Sequence, residues 1–394
     1  MNDGARAMTG GLPILIAGGG IGGLSAALAL SRSGVPVHVL EAAAEFAELG
    51  AGLQIGPNGM RILERWGIAE SLARETRRPE HILLKDGLTG DLLARLPLGD
   101  TAKARYGAPY VVMTRHALHR SLLAAARAAP NVTVSRGVRI VDWSVKGDRV
   151  VASSASGEKM EGRALVAADG VHSALRDRLF RGARAVPSGK TALRALAPLP
   201  RGGDEASAIC VWMTPRAHLV HYPLGAEGRL NLVAVLRDED VPAGNSIESA
   251  AVQAVFQRWP FDAQLLLAGG ENWLKWPLWT TEPLDRWARG PVVLLGDAAH
   301  PMLPFLASGA VMAIEDAAVL AQEVGRSRDD CATAFARYEQ RRLPRLARLR
   351  KAVARTGAIY HMEGLMRLAR NAALGALPER ALLARNDWLY GSGP

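Results

Sequence analysis

The chain reads as an α/β protein: a Rossmann-like nucleotide-binding unit, an inserted region of antiparallel sheet, and C-terminal helices. Three observations predict this. Leu12 to Ala43 runs strand, glycine turn, helix, strand. Two further apolar runs, Ala164–Ala168 and Pro291–Leu295, are each followed by an Asp beside a Gly. Residues 181–280 lying between them change to short, partly alternating segments broken by Gly, Pro and charged turns, which suits antiparallel strands better than βαβ units.

In the first segment, LPILIAGGGIGGLSAALALSRSGVPVHVLEAA, Ile14 to Ala17 is the expected first buried strand. Gly18, Gly20 and Gly23 occupy the glycine positions of G-x-G-x-x-G. The first permits a tight turn, the second lets a pyrophosphate approach the backbone, and the third lets helix pack on strand. Leu24 to Ser33 then supplies a helix whose N-terminal amides face the phosphate. Val35 to Leu40 forms the second strand and ends at Glu41, whose carboxylate can accept both hydroxyls of an adenosine ribose. Strand, turn, helix and acid in this order predict a dinucleotide site and leave NAD and FAD both open.

Composition narrows the classes. A chain of 394 residues is long for one core, so two domains are expected, and 49% hydrophobic with 22% charged residues describes a globular protein. The net charge of +10 gathers largely in RYEQRRLPRLARLRKAVAR, Arg337 to Arg355. Leu343, Leu346, Leu349 and Val353 recur there at helical spacing, so the arginines read as the solvated face of an amphipathic helix. Aromatic residues do not interleave beyond Tyr338, and nucleic acid is set aside as a partner. Cys210 and Cys331 stand far apart without a CxxC or a His at ligand spacing, which argues against a disulfide framework and a metal site and fits a reducing cytoplasm. Gly11 to Leu30 approaches the length of a membrane span but carries five glycines from Gly18 to Gly23, so no membrane segment and no signal peptide is expected. The first ten residues read as a frayed leader.

The later runs are ALVAADGVHSALR, with Asp169 and Gly170, and PVVLLGDAAHPMLPFLASGAVMAIEDA, with Asp297. An Asp closing a buried strand is awkward unless something there needs its oxygens; taken singly, a turn or cap Asp is the alternative. GGGIGG, the DG segment and GDAAHP together resemble the three motifs of the group A flavoprotein monooxygenases, which share the p-hydroxybenzoate hydroxylase fold. ELGAGLQIGPNGMRILERWG (Glu48 to Gly67) and TRHALHRSLL (Thr114 to Leu123) are similar to that family's flavin-edge loop and to the helix carrying its flavin-contacting arginine, here Arg115. Salicylate, 3-hydroxybenzoate and 6-hydroxynicotinate hydroxylases are the most similar branch.

This resemblance implies FAD as the resident cofactor. Asp297 would accept a hydrogen bond from the ribityl chain, and Asp169 would serve both flavin and NAD(P)H handling. The amides at Gly309 and Ala310, at a helix N-terminus, would stabilise negative charge on reduced flavin. No second G-x-G-x-x-G stands out in residues 181–280, in keeping with a family that lacks a separate nicotinamide domain. The resemblance also divides the chain into an FAD-binding domain (residues 11–75, 98–180 and 281–350), a substrate-binding sheet domain (76–97 and 181–280) and a C-terminal helical segment (351–394).

AHLVHYPL, Ala217 to Leu224, resembles the H-x-x-x-Y-P segment of that branch and implies His218 and Tyr222 in the pocket, with His300 approaching from the flavin loop. Four residues apart in a strand, His218 and Tyr222 share a face, and His221 points the other way. The family's flavin hydroperoxide is an electrophile, so the ring it attacks must be electron-rich. A histidine that removes a phenolic proton makes it so. Without the resemblance, a strand histidine is a structural hydrogen-bonder. Relatives commonly carry Gln where this chain has Ser308, which leaves the substrate open. No arginine announces itself as a carboxylate clamp: Arg194, Arg216 and Arg229 are equally eligible. Tryptophans 259, 273, 276, 279 and 287 read as packing, and Cys210 as a small buried hydrophobe.

The expected activity is FAD-dependent hydroxylation of an activated aromatic or heteroaromatic ring, hydroxybenzoate- or hydroxypyridine-carboxylate-like. It uses O2 and NAD(P)H, with NADH preferred on branch resemblance. A quinone-precursor or polycyclic hydroxylase on the same fold, or a non-catalytic flavin-binding protein, are the alternatives. A homodimer is compatible with this reading, and the sequence leaves the assembly open.

Overall fold

The computed structural model describes residues 11–46, 52–199, 202, 204–225, 228–241, 246–327 and 330–394. The leader read in the first ten residues lies outside them, as do Glu48–Ala51 of the second family-like segment.

Five parallel strands form the nucleotide-binding sheet, in the order Val292–Leu294, Ala164–Ala167, Ile14–Ala17, Val37–Glu41 and Val132–Arg136, with Ala288–Arg289 antiparallel at one edge. The first three of these strands are fully buried and Val37–Glu41 largely so, as expected where helices cover both faces of a parallel sheet. The helix after the first strand begins at Ile21, three residues before the sequence suggests, because Gly22 and Gly23 are helical rather than part of the turn. The second strand begins at Val37, since Pro36 has no N–H to give to the ladder.

The second sheet has eight strands, in the order Ser246–Ile247, Glu271–Thr280, Val186–Pro198, Arg229–Arg237, Ala217–Leu224, Ala208–Met213, His81–Asp86 and Leu92–Pro97. It is antiparallel except where Ala208–Met213 runs parallel to His81–Asp86. The sequence suggests no parallel pair, and the reason is connectivity: these strands lie more than a hundred residues apart, so no hairpin dictates their direction. One face packs Leu193, Trp212, Leu219, Leu232 and Ala234 against helices Ser249–Val255 and Phe261–Ala268 in a core of its own. The other face looks towards the nucleotide-binding sheet.

Helix Gly309–Ser327 and the 30-residue helix Cys331–Tyr360 pack together behind the first sheet. The arginine run has the expected solvated face, with Arg337, Arg341, Arg348 and Arg355 exposed over buried Leu346, Leu349 and Val353, but Arg342 departs from it. Arg342 is only 2% exposed, and its guanidinium donates to Asp316 Oδ1 at 2.6 Å and Glu315 Oε2 at 2.8 Å. Arg345 reaches Glu315 as well, and Asn58 Nδ2 donates to Glu315 Oε1 at 2.7 Å. The two acids and two arginines neutralise each other, which makes their burial tolerable. Among the described residues no helix is long and apolar enough to cross a membrane.

Candidate active site

In an open parallel sheet, ligands bind beyond the carboxyl ends of the strands. Gly18 follows the first strand, Glu41 ends the second, Asp169 follows Ala164–Ala167, and Asp297 follows Val292–Leu294. All four therefore come to one edge. Two concavities meet there. The smaller is lined by Gly18, Gly20, Glu41, Arg139 and Asp169. The larger, about 350 Å³, runs past Arg115, Asp297 and Gly309 to Arg194, His218 and Tyr222 on the eight-stranded sheet. Gly20 and Gly170 belong to both walls, so the two are ends of one groove.

That groove fits a dinucleotide. Gly18 has φ +105°, and a Cβ on it would lie 2.4 Å from the Ala168 carbonyl oxygen. A Cβ on Gly23 would lie 1.9 Å from the Gly18 carbonyl oxygen, while Gly20 has nothing within 4 Å of the same position. Turn, packing contact and open approach thus fall on the three glycines separately. Glu41 accepts from the backbone N–H of Gly19 at 2.5 Å and of Ala43 at 2.7 Å, which fixes its carboxylate at the smaller end. Asp169 accepts from Ser173 Oγ and the Leu175 N–H, and burial raises its pKa. Helices Ile21–Arg32 and Gly309–Ser327 both begin on the wall of the larger end, where Gly309 and Ala310 present a helix N-terminus to whatever occupies it. Arg115 opens helix Arg115–Ala128, whose N-cap Thr114 accepts from the Ala117 N–H at 3.1 Å.

Two expectations need correcting. Asp297 is exposed rather than buried, because Gly296, at φ +63°, turns the chain outward into the groove before it. His300 does not reach the cavity. It is 2% exposed beneath the loop, with Nε2 2.6 Å from Asp316 Oδ2 and its ring against Trp287. Asp316, whose burial alone would raise its pKa, is held below the usual carboxylate range by His300 and Arg342. A histidine so engaged belongs to the buried ion-pair network.

On the sheet side, His218 and Tyr222 line the cavity with Val220, while His221 faces the opposite core and accepts from Trp212 Nε1 at 3.0 Å. Arg194, Val233, Val220 and Val211 lie in cross-strand register on the cavity face. The three eligible arginines are now distinguished. Arg216 pairs with Asp240 and Glu239, and Arg229 with Glu271, whereas Arg194 lines the cavity over the Trp276 ring with no carboxylate paired to it among the described residues. Burial lowers its pKa, and Asp297 is the only carboxylate among the described residues of that wall. An alternating strand with an Arg on its inward face, TALRALAP, was the available signal. Tyr110, Tyr360 and Tyr390 complete the wall, the last two from the C-terminal helices, and no motif announces them. Ser308 Oγ donates to the Leu306 carbonyl at 2.7 Å, so this hydroxyl is spent on its own loop.

On the far side of the sheet, ligating atoms of Glu205, Cys210 and His221 come within 4.8 Å of one another, a grouping the sequence spacing did not suggest. Lys85 pairs with Glu205, and Trp212 donates to His221 Nε2, so two of the three groups already have partners.

Comparison with known proteins agrees with this geometry. The FAD binding domain family matches residues 11–353. The 3-hydroxybenzoate 6-hydroxylase of Polaromonas naphthalenivorans is 36% identical over 385 residues, 96% of each chain. The 6-hydroxynicotinate 3-monooxygenase of Bordetella bronchiseptica is 36% identical over 351 residues, 87% of this chain and 91% of that one. The crystal structure of Klebsiella pneumoniae HpxO complexed with FAD and uric acid superposes with a TM-score of 0.87 at 26% identity, covering 97% of both chains. With its glycine turn, its acids at the strand ends and a family match over most of its length, this chain belongs to the FAD binding domain family and, within it, to the flavoprotein aromatic monooxygenases.

Proposed function

We propose that this enzyme hydroxylates a small aromatic or heteroaromatic ring bearing both a hydroxyl and a carboxylate, using O2 and NADH. The observation that carries the reading is the cavity-facing guanidinium of Arg194 on the same sheet face as His218 and Tyr222: it lies over the Trp276 ring, and its buried Nε has no hydrogen-bond partner among the described residues. A buried cation without a counter-ion favours an anionic ligand, and a planar guanidinium matches a carboxylate in a bidentate way. The relatives' names point the same way: hydroxybenzoate and hydroxynicotinate are both hydroxylated aromatic acids. NADH rests on branch resemblance, and a cytoplasmic location on the scarcity of cysteine.

FAD, when bound, would carry electrons from NADH to O2 and so activate the O2 from which one oxygen atom reaches the ring. Glu41, Asp169, Asp297 and the glycine turn would hold it. Arg194 holds the substrate carboxylate. His218 accepts the phenolic proton at Nε2, which raises the electron density of the ring. Its burial keeps its pKa well below the ordinary value, so the neutral, proton-accepting form prevails near pH 7. Burial raises the pKa of Tyr222, so its hydroxyl stays protonated and donates to the substrate oxygen.

The test is a panel of hydroxybenzoates and hydroxypyridine carboxylates against the same phenols without the carboxylate. It is scored by stimulated NADH oxidation with the hydroxylated product identified. The acids should be turned over and the plain phenols poorly. Arg194→Gln should raise KM for the acids about 10–100-fold, the equivalent of a charge-assisted hydrogen bond of about 1.5–3 kcal/mol. Equal turnover of phenols and acids, or an unchanged KM in the variant, overturns the assignment.

A further inference from the structure

His218 is too deeply buried to exchange a proton with water directly: it is 2% exposed and packed by the rings of Phe305 and Tyr360, with centroids at 5.2 and 5.3 Å. Its Nδ1 nevertheless lies 3.0 Å from Nε2 of His361. His361 caps the C-terminus of helix Cys331–Tyr360, is half-buried, and lies beyond the residues 11–353 that the family model matches. We propose that His361 is the second member of a proton relay that carries the substrate's phenolic proton from the substrate-filled cavity to solvent. This rests on the reading of His218 as the base.

The geometry admits one productive arrangement. His218 carries its proton on Nδ1 and donates it to His361 Nε2, which leaves the lone pair of His218 Nε2 facing the cavity. When the substrate hydroxyl gives its proton to Nε2, the Nδ1 proton passes to His361 Nε2, and His361 releases its Nδ1 proton to water. One proton enters, one leaves, and no redox partner is needed. The pair returns to its starting arrangement once the Nε2 proton of His218 leaves with the product, the Nε2 proton of His361 passes back to His218 Nδ1, and His361 Nδ1 takes up a proton from water.

The surroundings suit a carrier that receives a proton and does not keep it. The helix C-terminus presents unsatisfied carbonyl dipoles, which favour a positive charge arriving at His361. Against that stand burial and three cations from three elements: Lys190 on Val186–Pro198, Arg237 at the end of Arg229–Arg237, and Arg370 on Gly364–Ala376. Together they bring the pKa of His361 down to about 4. A permanently protonated His361 would block the relay, and these cations prevent it. Tyr360 and Phe305 add no charge to this group at neutral pH.

The test uses the FAD-loaded full chain without NADH, so that nothing turns over, and 3-hydroxybenzoate as the probe. Phenolate formation is followed by stopped-flow ultraviolet difference after mixing. In the parent enzyme the phenolate should form, and in His218→Asn it should not. His361→Phe and His361→Gln should reach the same final amplitude at least about tenfold more slowly, a smaller loss than the ~10²–10⁴-fold expected from removing the base itself. Added imidazole should restore the rate in His361→Ala. Parent-like rates in both His361→Phe and His361→Gln overturn the relay and leave His218 as the base. No phenolate in the parent, or phenolate in His218→Asn, overturns the reading of His218 on which the relay stands.

Discussion

Asp297 shows how one carboxylate can be positioned in advance for a ligand. The strand before it is buried and Ala298 to His300 after it are buried, yet its own side chain is exposed to the groove. The positive φ of Gly296 makes that reversal affordable, since a side chain at φ +63° would be strained. The acid therefore adds little to the stability of the fold and is free to accept a hydroxyl of the cofactor. Asp297→Ala should fold with an unchanged melting temperature when FAD is absent and bind FAD at least about tenfold more weakly, as expected for a lost hydrogen bond of about 1–3 kcal/mol. FAD titration by fluorescence quenching reads this directly; an unaltered Kd would remove Asp297 from the site.

Helices Gly309–Ser327 and Cys331–Tyr360 are joined by buried ions as well as by apolar contact. Glu315 and Asp316 have no exposed surface, and Arg342 satisfies both. The same Asp316 accepts from the Gly296 N–H at 3.2 Å, so the network reaches the turn that aims Asp297. Removing one partner from a buried pair leaves an uncompensated charge, at a cost of about 3–5 kcal/mol. Arg342→Met should therefore lower the thermal midpoint by several degrees, whereas Arg355→Met, on the exposed face of the same helix, should leave it within error. Differential scanning calorimetry of the two variants checks this. Equal midpoints would show that the network contributes specificity of packing without net stability.

For the whole molecule, the buried His218 and His221 and the half-buried His361 set an acid limit to stability. Burial, helped by His361 and Lys190, holds His218 well below its ordinary value. Burial and Lys85 bring His221 to about 3, and burial with Lys190, Arg237 and Arg370 brings His361 to about 4. In the unfolded chain each takes up a proton near pH 6.5. As pH falls from 6.5 towards 4 the unfolded state binds more protons than the folded one, so stability declines across that window. Asp86 and Asp316 have lowered values, so their contribution disappears only below the ordinary carboxylate range and does not obscure it. The melting temperature should fall from pH 6.5 to 4, and His361→Gln should flatten part of that slope. A slope identical to the parent's would place the acid sensitivity elsewhere.

What the sequence determined by itself is the part whose geometry is local. Gly18, Gly20 and Gly23 are legible because a phosphate turn needs its conformations within six consecutive residues, and Glu41, Asp169 and Asp297 because each sits directly at or after a buried strand. The β-period puts His218 and Tyr222 on one face and His221 on the other for the same reason. Tertiary structure decided among residues that are chemically alike. Arg194, Arg216 and Arg229 differ only in whether a carboxylate from another strand or turn reaches them, and His300 differs from His361 only in what packs beside it. Arg342 reads as one more exposed arginine until Glu315 and Asp316 are brought against it from the neighbouring helix. His218 and His361 are 143 residues apart, and no pattern in the chain links them. Local backbone demands leave a local signature, whereas the choice of which equivalent side chain meets the cavity is made by long-range packing and charge pairing.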